Sequence, residues 1–479
     1  MTDVSTQTSQ EDFDPTNESD TDTNTDEIIN EPNDDDLIIF PEKKDADEFE
    51  ESLLEIIDQY LENHLVNYSD PDFTETLCED VYEIMNASFD CEDGDNCDNC
   101  KNKDLIIEIA ESCVAFLYNV YEIPPRYEII DDVNELVDVD VDVDVDVDTD
   151  PIINNSLLEK IENLRKIPQP QQRTHEWYSF RQEIITASNI WKIFASESQF
   201  NSLVYEKCQP MKMYSSSNVD SPMHWGVKYE PLTAMIYQRN NRTLLEEFGC
   251  IRHPKYPWIG ASPDGINVSC ENPRLLGRMI EIKNIVNREI DGNPSVAYWI
   301  QMQIQMETCD LEECDFVETQ FKEYESAVEF WETPHNHPII QQTKAKEREE
   351  KKDKGIILMF MDTQTYSVKY EYMPLDIKLT PRLTDEWIFS TIHRLESESY
   401  KYQKTIYWYL DIYSCVLVKR NRRWFEAAAP IIENAWKTIE KERVEGHAHR
   451  APKSRAGKRI SKNLLLEVVK MDAVDTENS

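Results

Sequence analysis

Acidic residues are concentrated in the first 150 residues of this 479-residue chain, and this bias restricts where a core can form. The segment carries 48 Asp and Glu against 5 Lys and Arg, or −43 of the net charge of −45. Residues 151–479 carry the remaining 46 acidic and 44 basic residues. A near-neutral stretch of this length can bury one large core or two modest ones. We therefore expect the main folded body there.

The composition also excludes several classes of protein. The longest dense apolar stretch, Ile356 to Met361, has the size of a strand and is too short to span a bilayer. The first 30 residues have neither a basic start nor an apolar centre, which predicts a protein that is not secreted. Eleven cysteines without a secretion signal indicate reduced thiols and a location in the cytoplasm or the nucleus.

The acidic third divides into three parts. Residues 1–47 are rich in Asp, Glu, Ser, Thr and Asn and predict a disordered tail. Apolar residues recur at helical spacing over 49–65, 73–85 and 105–121, so we expect residues 48–130 to form a small helical domain. Val and Asp alternate within residues 131–154. Because a strand would place six aspartates on one face, an extended charged linker is expected there.

Residues 155–440 combine helical and strand patterns and predict a mixed α/β domain. Helical spacing covers 177–194, 231–238 and 294–308, and strand-like runs occur near 258–268, 278–286, 314–322, 356–362 and 366–372. Six of the ten glycines lie between Gly226 and Gly292, which marks a region of tight turns and close backbone approach. The charged residues 324–354 are typical of an insertion, and residues 441–479 form a basic tail.

Two carboxylates and a lysine are predicted to meet on neighbouring strands. Asp264 precedes a glycine at a turn between two strand patterns, where a carboxylate can project freely. Glu281 and Lys283 lie two apart on an apolar strand, so they share one face. Two carboxylates and a main-chain carbonyl suit Mg²⁺. A lysine beside the ion can hold or deprotonate an attacking water, or offset charge on a phosphate.

The same short motifs occur elsewhere in the chain, so their order and context carry the argument. Pro71-Asp72 and Glu42-x-Lys44 match the two halves of the pattern in acidic surroundings. The alternative interpretation of Glu281-x-Lys283 is an exposed ion pair on a strand. A Pro-Asp turn followed, after sixteen residues, by Glu-x-Lys within an apolar strand favours a shared site.

Two nearby helices are expected to contribute polar side chains. The segment Trp225-Gly-Val-Lys-Tyr-Glu-Pro is predicted to begin a helix with Glu230 near its first turn, where the helix dipole favours a carboxylate. Tyr298, Gln301 and Gln305 follow i, i+3, i+7 spacing and share one helical face. The amides can then lie opposite the carboxylates. The alternative is a packing helix with a polar outer face.

A third segment, upstream of both helices, offers a phosphate contact. Arg181 precedes Thr186-Ala187-Ser188, where a helix can begin. A basic side chain and a hydroxyl at a helix start are suited to a 5′ phosphate.

Five ordered blocks carry a resemblance to a known family. They are Trp177 with Arg181 and Ile185-Thr186-Ala187-Ser188, then Gly226 with Glu230, then Ser262-Pro263-Asp264-Gly265, then Glu281-Ile282-Lys283, then Tyr298 with Gln301. Together they cover residues 175–322, roughly a third of the chain. This set resembles the phage lambda exonuclease and its viral YqaJ-type recombinase relatives, within the PD-(D/E)XK nuclease superfamily.

The resemblance implies a restriction-endonuclease-like core, in which helices flank a mixed central sheet. It also implies Mg²⁺-dependent hydrolysis of DNA, with Mn²⁺ able to substitute. Members of the family degrade one strand of duplex DNA from its 5′ end. This implies a 5′–3′ exonuclease that acts in viral recombination, repair or genome processing in the host cytoplasm or nucleus, with a single-strand annealing protein as partner and a homo-oligomeric assembly.

Site roles carry over from the family position by position. Metal ligands would be Asp264, Glu281 and the carbonyl of Ile282, with Glu230 as an additional ligand for the metal or its waters. Lys283 would activate the water and Gln301 would orient the site. The DNA-facing set would be Arg181 and Ser188, at the terminal phosphate, and Tyr298, beside the site.

Other functions stay open at this point. The insertion at 324–354 and the long C-terminal continuation leave room for a structure-specific endonuclease. The acidic N-terminal region, which resembles tails that dock basic partners, favours a catalytically inactive DNA-binding or replication scaffold.

Three weaker signals complete the pattern. The basic run at 419–423, next to Trp424, fits either a phosphate grip or a solvated loop. Cys91, Cys97, Cys100 and Cys113 have a spacing that can hold Zn²⁺, although Cys113 also fits an apolar helix core. His335-x-His337 indicates a loop more than a metal site, because no partner ligand is evident.

Overall fold

A computed structural model of the chain describes residues 43–88, 103–130, 151–170, 174–210, 222–333 and 353–452. The acidic tail up to residue 42, the Val-Asp stretch at 131–150, most of the 324–354 segment and the tail from residue 453 lie outside the described residues. The same holds for Cys91, Cys97 and Cys100 and for His335 and His337. The expectations about these segments therefore stay predictions.

Helices occur along the whole described chain. They are α1 (Lys43–His64), α2 (Phe73–Ser88), α3 (Lys103–Val120), α4 (Pro151–Lys166), α5 (His175–Gln182), α6 (Ala187–Phe194), α7 (Glu197–Cys208), α8 (Pro222–Asn241), α9 (Val296–Cys309), α10 (Ala327–Glu332), α11 (Pro381–Ser397) and α12 (Arg422–Glu445).

The strands begin at the end of the N-terminal helices. They are β1 (Glu128–Ile129), β2 (Ile185–Thr186), β3 (Thr243–Glu246), β4 (Ile251–Arg252), β5 (Ile259–Ala261), β6 (Gly265–Cys270), β7 (Met279–Asn284), β8 (Glu313–Glu323), β9 (Lys354–Asp362), β10 (Val368–Tyr372) and β11 (Tyr400–Lys419).

A large central sheet has the order β10-β9-β11-β8-β7-β6-β3, with β1 paired to β11. Its described strand pairs are antiparallel except for β7 and β8, which run parallel with Lys283 opposite Glu318. The long strand β11 pairs with β8 at one end and with β9 at the other, and the ladder has an irregularity on each side. The predicted mixed α/β class, with helices flanking a central sheet, is confirmed.

A small second sheet interrupts the helix that was expected over 177–194. It has the order β2-β5-β4, and its strand β2 separates α5 from α6. The side chains of Ile184 and Ile185 are fully buried, and the Ile185 N–H donates to the carbonyl of Trp258 at 2.7 Å. Tertiary packing of two isoleucines therefore overrides the local helical pattern.

Helix α8 is longer than the sequence predicts. It begins at Pro222 and contains Pro231 in its interior, so Glu230 lies near the middle of the helix and not in its first turn. The expected stabilisation of Glu230 by the helix dipole was wrong, because this effect is confined to the end turns. Buried Tyr229, Leu232 and Ile236 hold the helix on both sides of the proline, although proline removes one helical hydrogen bond.

The N-terminal helices pack directly on the α/β body. Buried residues of α1, α2 and α3 belong to the same hydrophobic cluster as those of α9 and α12. Trp299 of α9 contacts Tyr68 and Trp424 with ring centroids 5.7 and 5.2 Å away. Its indole N–H donates to the carbonyl of Arg126 at 3.0 Å, and the Trp424 indole donates to the carbonyl of Val66 at 2.9 Å.

Two composition-based expectations can be compared with the described residues. Each of the eight cysteines in them is a free thiol, and Cys113 is buried in α3. Within the same ranges, no helix has the length and apolar character needed to cross a membrane.

Because the core is shared, truncating Trp424 should destabilise the whole fold. Trp424→Ala should lower the free energy of unfolding by about 3–5 kcal/mol, because a large cavity opens between α9, α12 and the N-terminal helices. Urea denaturation followed by circular dichroism measures this loss. Phe389→Ala is the control, since Phe389 is 75% exposed and its removal should change stability by less than about 0.5 kcal/mol. Equal effects of the two substitutions would contradict the shared core.

Candidate functional site

The turn before β6 and the strand β7 bring two carboxylates together. Gly265 pairs with Ile280 in an antiparallel ladder, so Asp264 lies beside the middle of β7. The Ile282 N–H donates to Oδ2 of Asp264 at 2.8 Å. Ile280 and Ile282 point to the other face and join a buried cluster with Tyr237 and Val317. The alternation that the sequence predicts for this strand is therefore present.

Glu281 is completely buried and its carboxylate is held from three sides. Gln301 donates to Oε1 and Gln305 donates to Oε2, each at 2.7 Å. The Lys283 ammonium forms an ion pair with Oε1. Both glutamines come from α9, and Gln305 also donates to the carbonyl of Ser262 at 3.1 Å. The amides thus lie opposite the carboxylates, as the spacing on α9 predicts.

The charges in this cluster influence each other strongly. Burial, followed by the negative charge of Glu281, raises the pKa of Asp264 well above its usual value, against an opposing effect of Lys283. Burial alone would lower the pKa of Lys283, but the charges of Glu281 and Asp264 outweigh it and raise that pKa. Lys283 is therefore an ammonium at neutral pH.

The donor set matches a hard divalent cation better than a soft one. Within the described residues, no group of three His, Cys, Asp or Glu side chains is gathered closely enough to hold a metal ion. A cation would therefore rest on Asp264, Glu281 and a carbonyl such as that of Ile282, with waters completing its shell. Mg²⁺ accepts this kind of site because it keeps several waters. Burial, followed by the negative charge of Glu281, raises the pKa of Asp264, and a bound cation would favour the ionised form of this carboxyl group.

Glu230 lies at the rim of the carboxylate cluster. Its side chain is exposed. Burial is the main cause of the raised pKa values of Asp264 and Tyr372, and the negative charge of Glu230 raises both further. Glu230, on helix α8, is therefore close enough to influence Asp264 electrostatically while it stays open to solvent.

A second buried carboxylate beside Lys283, that of Glu318, was not predicted from the sequence. Glu318 is completely buried, lies opposite Lys283 in the parallel ladder and forms an ion pair with Arg288. Both cations lie close to one aromatic ring: the Lys283 ammonium is 4.8 Å and the Arg288 guanidinium 5.9 Å from the centroid of Tyr298. Tyr298 therefore packs beside the cluster, as expected. The pairing of β7 with β8, which reveals Glu318, cannot be inferred from local spacing.

Arg181 and Ser188 lie on a neighbouring segment, and no described contact joins them to Asp264 or Glu281. Thr186 pairs with Gly260 in the small sheet, so α6 begins beside the end of β5, which leads to Asp264. Ser188 is exposed, and its hydroxyl lies 3.2 Å from that of Thr186. The pairing of β2 with β5 thus links this segment to the strand that leads to Asp264.

Two cations from distant segments fix the main chain that carries Arg181. The buried Lys207 ammonium donates to the carbonyl of Arg181 at 2.7 Å, and Arg443 donates to the carbonyl of Gln182 at 2.6 Å. Burial, together with the charge of Arg181, lowers the pKa of Lys207 to about 8. The Arg181 guanidinium itself stacks on Trp177, 4.5 Å from the ring centroid.

Most residues of the basic segment at 419–424 form ion pairs within the protein or are buried. Arg420 is 5% exposed and bonds to Glu307 at 2.6 Å. Lys419 pairs with Glu128, Arg422 pairs with Glu312, and Trp424 is buried. Neither Arg420 nor Trp424 is accessible to a phosphate or a base. The interpretation of this run as a phosphate grip is therefore not supported at these two residues.

Residues 176–312 match the family model of the YqaJ-like viral recombinase domain. This match confirms the resemblance over the stretch that holds Asp264, Glu281 and Lys283. An uncharacterized protein of Acanthamoeba polyphaga mimivirus is 28% identical over 304 residues, which cover 58% of this chain and 54% of the relative. The chain thus spans about half the length of this viral relative.

Two solved structures are also similar. An alkaline exonuclease from Laribacter hongkongensis has 16% sequence identity and a TM-score of 0.31, and the alignment covers 62% of this chain and all of the other. A phage-related exonuclease from Haemophilus somnus has 12% identity and a TM-score of 0.28, with 54% of this chain and 94% of the other covered.

The raised pKa of Asp264 predicts a cost to stability when no cation is bound. An acid whose pKa is raised on folding contributes its stability fully below its ordinary pKa and loses it as the pH rises through the folded value. Asp264→Asn should therefore raise the Tm of the protein in EDTA at about pH 7, because asparagine avoids both the burial of a carboxylate and its repulsion by Glu281. The gain should shrink as the pH approaches 4.

Thermal unfolding between about pH 4 and 8 in EDTA measures this effect. Glu271→Gln is the matched control, since Glu271 is 69% exposed and pairs only at the surface with Arg242. An Asp264→Asn variant with the Tm of the wild type at every pH would show that Asp264 is destabilised neither by burial nor by Glu281.

Proposed function

We propose that this chain is a Mg²⁺-dependent deoxyribonuclease that hydrolyses phosphodiester bonds, built on the YqaJ-like viral recombinase domain that residues 176–312 match. The observation that carries the proposal is the meeting of half-buried Asp264 and fully buried Glu281, with the Lys283 ammonium ion-paired to Glu281. Two neighbouring carboxylates, one of them completely buried, are costly for a fold. Their presence inside the matched domain favours a catalytic use.

Asp264, Glu281 and the Ile282 carbonyl would hold the cation, with Glu230 at the open rim reaching the cation or its waters. When bound, Mg²⁺ supplies charge neutralisation for the phosphate and lowers the pKa of a bound water. Gln301 and Gln305 keep the Glu281 carboxylate in one orientation, because each oxygen already has a donor. The polar groups of the site are thus in position before the substrate arrives. Such preorganisation is a major source of the rate enhancement that polar groups provide in enzymes.

Lys283 stabilises negative charge in this proposal. Because its pKa is raised, it stays protonated at neutral pH and can donate to the attacking water or to a phosphate oxygen. It is poorly suited to accept a proton in the cation-free protein. The contacts with Glu281 and the Tyr298 ring keep the ammonium at the strand face where the carboxylates lie.

In this proposal Arg181 and Ser188 determine the polarity of cleavage. A 5′ phosphate bound between the exposed Ser188 hydroxyl and the Arg181 guanidinium would set the end of a duplex beside the carboxylates. The Lys207 and Arg443 bonds to the main chain of this segment support a fixed position for Arg181. A 5′–3′ exonuclease acting on duplex ends, in recombination with a single-strand annealing partner, is the activity that follows.

Removing the Asp264 carboxylate or the Lys283 ammonium from the site should strongly slow cleavage. Asp264→Ala and Lys283→Ala should each lower the rate of Mg²⁺-dependent hydrolysis of linear duplex DNA by about 10²-fold or more. Release of acid-soluble nucleotides, with and without EDTA, measures the rate. Lys437→Ala is the control, because Lys437 is 63% exposed on α12 and pairs only with Glu433. Wild-type rates in both site variants would refute the proposal, and tight DNA binding without any cleavage would favour a scaffold.

The assignment of polarity is tested by the ends of the substrate. End-labelled linear duplex with 5′ phosphates should be degraded faster than the same duplex with 5′ hydroxyls, and covalently closed circles should resist cleavage. Arg181→Ala should lower the rate on 5′-phosphorylated ends more than the rate on 5′-hydroxyl ends, because it removes one charged contact with the phosphate. Cleavage of circles at a rate equal to that of linear DNA would identify an endonuclease instead.

A further inference from the structure

Gly226 stands inside helix α8 although neither packing nor backbone geometry requires glycine there. At two other glycines a Cβ atom would collide with neighbours: it would lie 2.9 Å from Gln169 at Gly249 and 2.6 Å from Trp408 at Gly355. At Gly226 such an atom would meet no described atom within 4 Å. The positive-φ glycines of the described chain are Gly277, Gly292 and Gly446, so Gly226 has an ordinary backbone.

A glycine in a helix is unfavourable by roughly 1 kcal/mol relative to alanine, because it has more freedom to lose on folding. Most helices avoid this cost where the surrounding space is open. An open position that nevertheless holds glycine is typical of a place where another backbone comes close to the helix.

The main chain at Gly226 contacts the strand that carries Glu281 and Lys283. The Asn284 side chain, next to Lys283 on β7, donates to the Gly226 carbonyl at 3.4 Å and accepts from the Thr233 hydroxyl at 2.7 Å. Glu230, one helical turn after Gly226, acts electrostatically on Asp264. Since residues four apart lie on one side of a helix, the missing side chain belongs to the face of α8 that looks onto β7 and the carboxylates.

We infer that Gly226 is the point where the substrate strand passes closest to α8, so that the sugar–phosphate backbone occupies the volume that a side chain would fill. This inference rests on the proposed nuclease function and adds to it that the substrate strand lies along helix α8. Gly226 acts by leaving space for the strand and contributes no chemical group. Any side chain there would hold the strand away from Asp264 and Glu281.

Two substitutions of Gly226 test this inference, and the first is expected to raise stability while it lowers activity. Gly226→Ala should raise Tm, because alanine favours the helix and meets open space, yet it should lower kcat/KM on linear 5′-phosphorylated duplex by about tenfold. Gly226→Leu should lower kcat/KM further and weaken binding of the same duplex in EDTA, measured by fluorescence anisotropy. Val227→Leu is the control: it adds bulk to the neighbouring residue, which is 40% exposed, and should change neither quantity.

The readouts separate this inference from the function on which it rests. A wild-type protein that cleaves, together with Gly226 variants that keep its kcat/KM and its affinity for duplex, would overturn the inference alone. A wild-type protein that does not cleave would refute the nuclease proposal. In that case duplex affinity still decides: a loss in Gly226→Leu but not in Val227→Leu supports the close approach, and equal affinity overturns it. A lowered Tm in Gly226→Ala would show that the position is packed and is not open.

Discussion

The carboxylate of Glu281 is the group around which the site is organised. A charge without solvent is costly unless every oxygen has a partner, and here Lys283, Gln301 and Gln305 provide those partners. Through these bonds one strand, one helix and the loop after β5 acquire a fixed relative position, since Gln305 also holds the carbonyl of Ser262. Asp264, two residues further along that loop, is positioned by the same network. Loss of one amide would therefore disturb both carboxylates.

Helix α9 is in turn supported from its other side by residues outside the matched recombinase domain. Trp299 lies two residues before Gln301 and contacts Tyr68, Arg126 and Trp424. The N-terminal helices thus help to hold α9, and with it the amide side chains of Gln301 and Gln305, in place. Their sequence alone had suggested a separate acidic unit. The boundary proposed near residue 130 stays a prediction, but the contacts across it are those of a continuous core.

Local patterns were sufficient for much of the site. The period of two at Glu281 and Lys283, and the spacing of Tyr298, Gln301 and Gln305, place side chains on faces without knowledge of the fold. Three features depend on contacts between distant segments and could not be seen this way. Glu318 reaches Lys283 through a parallel strand pair, Pro231 is tolerated because its helix is buried, and Arg420 is neutralised by acidic residues of the α9 end. Each reflects tertiary packing that overrides a local preference.

The long strand β11 has a consequence for how this chain can change over evolution. Its hydrogen bonds hold the end of β8 and the start of β9 side by side, with Tyr324 bonded to Tyr407 and Leu410 bonded to Asp353. The two ends of the intervening chain are therefore fixed by the sheet, whatever lies between them. Because the entropy of closing a loop grows only with the logarithm of its length, residues can be gained or lost there at small cost. New sequence can thus be acquired at this edge while the carboxylates, on β7 and its neighbouring turn, keep their geometry.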